Sequence, residues 1–162
     1  MTPPLPTSIW VLAWTSLVSQ GLAVLDRGVR DDETVFLLVS AALGALIVGY
    51  VAAGVVRART IRVALAWIVL VLTGLSEIVS LASGGSTPFV LVDLVLTVVS
   101  LVALARFSRS DWYRWQRARP PTSAGPSITG LVAIGIAVGV LGGLVVPAED
   151  GVRFRINSAE RF

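Results

Sequence analysis

The sequence predicts an all-α protein: a polytopic transmembrane helical bundle with a four-span core and an appended fifth span. Three observations carry this. Of the 162 residues, 55% are hydrophobic and 14% charged, with a mean hydropathy of +0.84, more apolar surface than a water-soluble domain of this length hides. Five apolar stretches approach the roughly 20 residues that a helix needs to cross hydrocarbon. The joins between them hold chain breakers and charges. A membrane β-barrel does not fit, because runs such as Ala64-Leu-Ala-Trp-Ile-Val-Leu-Val-Leu72 lack the alternation its strands require.

The first stretch, Ser8 to Leu25, follows Met1-Thr-Pro-Pro-Leu-Pro6. That start lacks the positive charge and small-residue cleavage site of a secretory signal, so the stretch is expected to stay as a span. The charged join from Asp26 to Thr34 leads to the second, Val35 to Val56, whose small residues Ala41, Ala45, Gly49 and Ala53 share one face and suit internal packing. Arg57 to Thr60 connects to the third, Ile61 to Ala82, and Ser83-Gly-Gly-Ser-Thr87 to the fourth, Pro88 to Phe107. These make residues 1–107 a four-helix unit.

Residues 108–127 form a basic-aromatic interfacial segment and a linker, in which Arg117-Ala-Arg-Pro-Pro-Thr-Ser-Ala-Gly-Pro126 opposes a continuing helix. The fifth span occupies 128–147, with its apolar run from Ile128 to Val146, and a tail follows over 148–162. Within that tail Val152-Arg-Phe-Arg-Ile156 alternates as a short strand does, although a frayed interfacial end is the simpler expectation.

Arginine counts set the orientation. With the N-terminus in the cytoplasm, Arg57, Arg59, Arg62, Arg106, Arg109, Arg114, Arg117 and Arg119 lie inside, against Arg27, Arg30, Arg153, Arg155 and Arg161 outside. Five spans then place the C-terminus outside. All 13 basic residues are arginine, and with the heavy use of Ala, Val, Leu and Gly this suggests a GC-rich bacterial source and residence in its inner (cell) membrane. The net charge of +3 sits beside apolar spans, which points to anionic lipid headgroups as the counter-charge and not to nucleic acid.

The chain contains no cysteine, histidine or lysine, and so no thiolate, imidazole or amine for nucleophilic, metal or Schiff-base chemistry. No metal site, no cofactor and no enzymatic activity are expected. Carboxylates and hydroxyls are the remaining chemical groups. Glu77 and Asp93 each lie about 7 to 9 Å from the outer end of their helices. Each heads a polar stripe, Thr73, Ser76, Glu77 and Ser80 on one span and Asp93, Thr97 and Ser100 on the next, and the first span adds Ser16, Ser19 and Gln20 at the same level. An acidic side chain facing lipid costs up to about 3 kcal/mol, so these residues are expected to line a polar seam inside the bundle. Glu77, Asp93, Gln20, Ser80 and Thr97 are therefore the candidates for an ion or ligand site. The plainer alternative is that both acids reach interfacial water, or Arg27 and Arg30, and serve packing.

Gly135, Gly139 and Gly143 recur every four residues in the last span. A glycine face lets another backbone approach, so this helix is expected to dock on its own bundle, a second copy or another protein. In Arg106-Phe-Ser-Arg-Ser-Asp-Trp-Tyr-Arg-Trp-Gln-Arg117, aromatics alternate with arginines beside a span. Trp112, Tyr113 and Trp115 are expected at headgroup level with Arg109, Arg114 and Arg117 on anionic lipid, and Ser108 with Asp111 to cap the helix start.

The segments Arg57-Ala-Arg-Thr-Ile-Arg62 and Ser108-Arg-Ser-Asp-Trp-Tyr-Arg114 around a four-span core resemble a broad group of small, uncharacterised four-helix membrane proteins of high-GC Gram-positive bacteria. The likeness covers roughly two thirds of the chain, through motifs that topology and anchoring alone favour. The fifth span and tail depart from it, and it supplies no functional residue to carry over. The leading functional expectation is a non-enzymatic accessory or assembly subunit, or a homo-oligomer, acting through helix–helix contacts. A small transporter or channel using Glu77 and Asp93 is the alternative.

Overall fold

The computed structural model describes residues 4–29, 34–84, 88–118 and 127–145. These contain six helices, α1 (Thr7–Arg27), α2 (Thr34–Val56), α3 (Thr60–Ala82), α4 (Pro88–Ser108), α5 (Asp111–Ala118) and α6 (Thr129–Leu144). The protein is an all-α bundle, and α1 to α4 are long and apolar enough to cross a membrane, as a multi-pass membrane protein requires. The α6 helix, at 16 residues, spans about 24 Å, less than the roughly 30 Å of a hydrocarbon core. Part of the expected linker, Arg119 to Pro126, and the tail with its Val152 to Ile156 run lie outside the described residues.

Helix ends follow from local chemistry. The α1 helix stops at Gly28, whose φ of 80° suits glycine, and the Gly28 amide donates to the Val24 carbonyl at 2.9 Å. The α3 helix is capped by Ser83, whose amide donates to the Val79 carbonyl at 3.0 Å, and Gly84 follows with φ of 88°. Pro88 opens α4, where its missing N–H costs nothing. Between α2 and α3 the buried Ala58 takes a φ of 51°, a left-handed conformation worth about 1–2 kcal/mol of strain. The turn recovers some of that through the Arg59 amide bonded to the Gly54 carbonyl at 2.9 Å. Gly54 also leaves the notch that the Arg62 side chain occupies. The Arg62 guanidinium lies 3.5 Å from the Tyr50 ring centroid and donates to the Tyr50 carbonyl at 3.0 Å.

The helices close a ring: α2 packs on α6, α6 on α1, α1 on α4, α4 on α3, and α3 returns to α2. Appended in sequence, α6 is integral in space, and its interface with α2 is the most extensive in the molecule. Its glycine face is what permits this. Gly143 lies against the Ser40 and Ala41 backbone, Gly139 against Gly44 and Ala45, and Gly135 against Gly49 and Ala52. The predicted docking face therefore docks within the chain, on the small-residue stripe of α2.

The two ends of the ring differ. Where α1 begins, Ile9, Val55, Val56, Val63, Leu104, Phe107, Trp112 and Leu131 form one dry cluster. The short α5 lies across this end, started by Ser110, whose Oγ accepts the Tyr113 amide at 3.2 Å. Ser108, expected in that capping role, instead donates to the Leu104 carbonyl at 2.8 Å. The expectation that Trp112 sits among headgroups is also corrected. It is 2% exposed, and its Nε1 donates to the Val56 carbonyl at 3.1 Å, because α5 folds back and turns this ring into the gap between helix ends. Arg109, Arg114 and Arg117 remain exposed, with Tyr113 and Trp115 half-buried.

Leu46, Ile47, Leu72, Val79 and Val95 are each at least 60% exposed on the outer faces of α2, α3 and α4. So broad an apolar surface is stable against lipid and aggregates in water.

Candidate functional site

The opposite end of the ring is wet. A cavity of about 480 Å³ opens there, and every helix of the ring contributes to it. From α1 come Ser19, Gln20 and Arg27, from α2 Ser40, from α3 Thr73 and Ser76, from α4 Asp93, and from α6 Gly142 and Gly143. The convergence has a simple origin: each long helix carries hydroxyl, amide or charged side chains in its terminal third at this end, and closing the ring turns them towards one another.

Asp93 is the acidic residue of the cavity wall. Ser19 Oγ donates to Asp93 Oδ1, which ties α4 to α1, and no described residue donates to Oδ2. One turn further along α4, Thr97 Oγ1 donates to Glu77 Oε1 at 2.9 Å, which ties α4 to α3. Glu77 is 8% exposed, and its Oε2 has no hydrogen-bond partner among the described residues. Deeper still, Thr15 and Ser100 hydroxyls pair at 2.8 Å between α1 and α4. The predicted stripe of Asp93, Thr97 and Ser100 is thus one polar ladder, bonded at each rung to a neighbouring helix.

Of the sequence candidates, Asp93 and Gln20 reach the cavity, while Glu77 and Thr97 form a buried pair outside its lining. Ser80 lies outside the lining and accepts the Ser83 hydroxyl on its carbonyl at 2.9 Å. Ser40 and Gly142 joined the site unannounced, and Arg27, expected only as a packing partner for the acids, lines it too. Ser40 sits in a span otherwise read for its small residues, and Gly142 falls off the four-residue glycine period; the available signal was their shared level with Ser19 and Asp93.

The Glu77–Thr97 bond is open to test. Thr97→Val keeps the shape but strips Glu77 Oε1 of its donor, and a buried polar group left unpaired costs about 1–3 kcal/mol. The variant is expected to melt several degrees below wild type in detergent micelles, with Thr97→Ser retaining most of the stability. Equal melting of Thr97→Val and wild type would show that the bond carries no weight.

Compared with family models, with curated proteins and with solved structures, the chain matches none.

Proposed function

We propose that the protein is a small, non-enzymatic bacterial cell-membrane transporter that takes up a solute bearing a cationic group through an outward-facing vestibule. The observation that carries this reading is the cavity itself. It is lined by five helices and contains the Asp93 carboxylate, and the dry cluster around Leu104 and Trp112 occupies the opposite end of the ring. A vestibule open at one end and sealed at the other suits binding and alternating exposure better than a continuous pore. Three helix C-termini, those of α1, α3 and α6, and two N-termini, those of α2 and α4, end around it, so the helix dipoles largely offset one another and Asp93 sets the preference for a cation.

The orientation proposed from the sequence puts the sealed end in the cytoplasm. Seven of the eight arginines among the described residues gather at that end, Arg27 alone lying at the other. The exposed Arg109, Arg114 and Arg117 there face anionic headgroups. A role as accessory or assembly subunit, or as a homo-oligomer, was motivated by the glycine face of α6 together with the lack of catalytic side chains. That face is covered by α2, which leaves it no room to receive a second copy or a partner helix.

The cysteine-free chain makes a direct test simple. A single cysteine at Ser40, in intact cells, is expected to react with membrane-impermeant methanethiosulfonates added outside, and about tenfold faster with a cationic than with an anionic reagent. Adding Asp93→Asn should abolish that preference, and in liposomes it should abolish uptake of putrescine or 4-aminobutyrate. No labelling from outside, or a charge preference indifferent to Asp93, sinks the proposal.

A further inference from the structure

The cavity holds a second charge that a site for a simple cation does not need. Arg27, in the last turn of α1, lines it together with Asp93, and the same two residues meet again, with Asp26, in a small adjoining pocket of about 30 Å³. An arginine beside a carboxylate usually pairs with it, yet among the described residues no carboxylate lies within ion-pairing distance of Arg27. Asp93 is instead held by Ser19 through one oxygen. The separation follows from the helix. Ser19 and Arg27 are eight residues apart, about 12 Å along α1, so Asp93 sits two turns deeper than the Arg27 backbone. Arg27 and Asp93 therefore line one cavity without pairing, which leaves room between opposite charges. Hydroxyls of Ser40, Thr73 and Ser76 and the amide of Gln20 line the rest.

Resting on the cation-vestibule reading, we propose that the solute is a short zwitterion with a primary ammonium at one end and a carboxylate at the other. The ammonium sits on Asp93, and the carboxylate meets the guanidinium of Arg27. Each charged end then finds its complement, whereas a dication places a positive group against Arg27 and a dianion a negative group against Asp93. The ammonium is primary because hydroxyls and a carboxylate accept its N–H groups. A quaternary ammonium is better served by aromatic faces, and no aromatic residue lines the main cavity. A chain of a few carbons between the ends suits two opposite charges that share one cavity without pairing. The planar fork of arginine binds a carboxylate bidentately.

Three probes with the same four-carbon length and different ends test this: 4-aminobutyrate, putrescine and succinate, titrated into the full-length protein in lipid nanodiscs. The wild type is expected to bind 4-aminobutyrate at least tenfold more tightly than either of the others. Arg27→Gln should weaken 4-aminobutyrate tenfold or more and leave putrescine equal or tighter, and Arg27→Lys should keep the preference for the zwitterion over the dication. Because Arg27 is exposed at a helix end, the ligand-free melting temperature of both variants should match wild type. Putrescine binding as tightly as 4-aminobutyrate, or an Arg27→Gln protein that still prefers the zwitterion, overturns the zwitterion proposal while the cation vestibule stands. Should none of the three bind while the Asp93-dependent preference for cationic thiol reagents persists, the zwitterion proposal again falls alone. Loss of that preference removes both.

Discussion

Replacing Gly139 by alanine is expected to destabilise the bundle by about 3 kcal/mol, at the upper end of the usual range for overpacking. The methyl group would land on the Gly44 carbonyl and within 2.8 Å of the Ala45 Cα. Both obstacles are main chain, held by the hydrogen bonds of α2, so neither can swing aside as a side chain does. Relief requires α6 to withdraw along its length, and that separates the longest interface in the ring. Gly44→Ala should do the same from the other side, since its Cβ meets the Gly139 carbonyl. Gly142→Ala is the control. Its Cβ would stand 3.3 Å from Gln20 Oε1, the far end of a flexible side chain, and alanine is favoured over glycine in a helix by up to about 1 kcal/mol. It should melt at or slightly above wild type. Melting curves in micelles, read by circular dichroism or by aggregation on heating, distinguish these outcomes. Equal tolerance of alanine at positions 139 and 142 would mean that α6 does not seat on α2 as described.

Residues in this interface also show what the sequence could and could not disclose. The period of Gly135, Gly139 and Gly143 announced a close helix contact, because only small residues let backbones approach in lipid. The stripe Ala41, Ala45 and Gly49 was equally visible. What periodicity does not contain is which stripe receives which, so the closure of α6 onto α2 required the structure. The polar ladder was legible for a related reason: Asp93, Thr97 and Ser100 share a face, and acids in apolar helices have few tolerable environments. Their partners were less so. Ser19 and Glu77 could be placed by depth, but Ser40 and Arg27 gain meaning only when five helix ends converge. Trp112 was misplaced because an amphipathic arginine-tryptophan helix has the same composition whether its rings enter headgroups or a protein. The deciding fact is the gap left by the ends of α2, α4 and α6.

That gap leads to the second large effect. Trp112→Ala is expected to cost about 3–5 kcal/mol, the usual toll for removing a buried tryptophan, because the ring is 2% exposed amid Val56, Phe107 and Leu131. It also orphans the Val56 carbonyl, which accepts from Nε1 at 3.1 Å. Trp112→Phe separates the two contributions: it restores much of the apolar bulk and omits the hydrogen bond, so it should lose about 1–2 kcal/mol. The substitution matters beyond stability. If the dry cluster is the inner seal of the vestibule, a cavity of tryptophan size lets water reach Leu104, which is fully buried in wild type. A cysteine at position 104 should then be inert towards methanethiosulfonates in the Trp112 background and reactive in inside-out vesicles when Trp112→Ala is added. The Phe variant should remain inert. A Trp112→Ala protein that melts with wild type and keeps position 104 dry would show that α5 merely rests on the bundle, and the seal would have to be sought among Val55, Val63 and Leu131 instead.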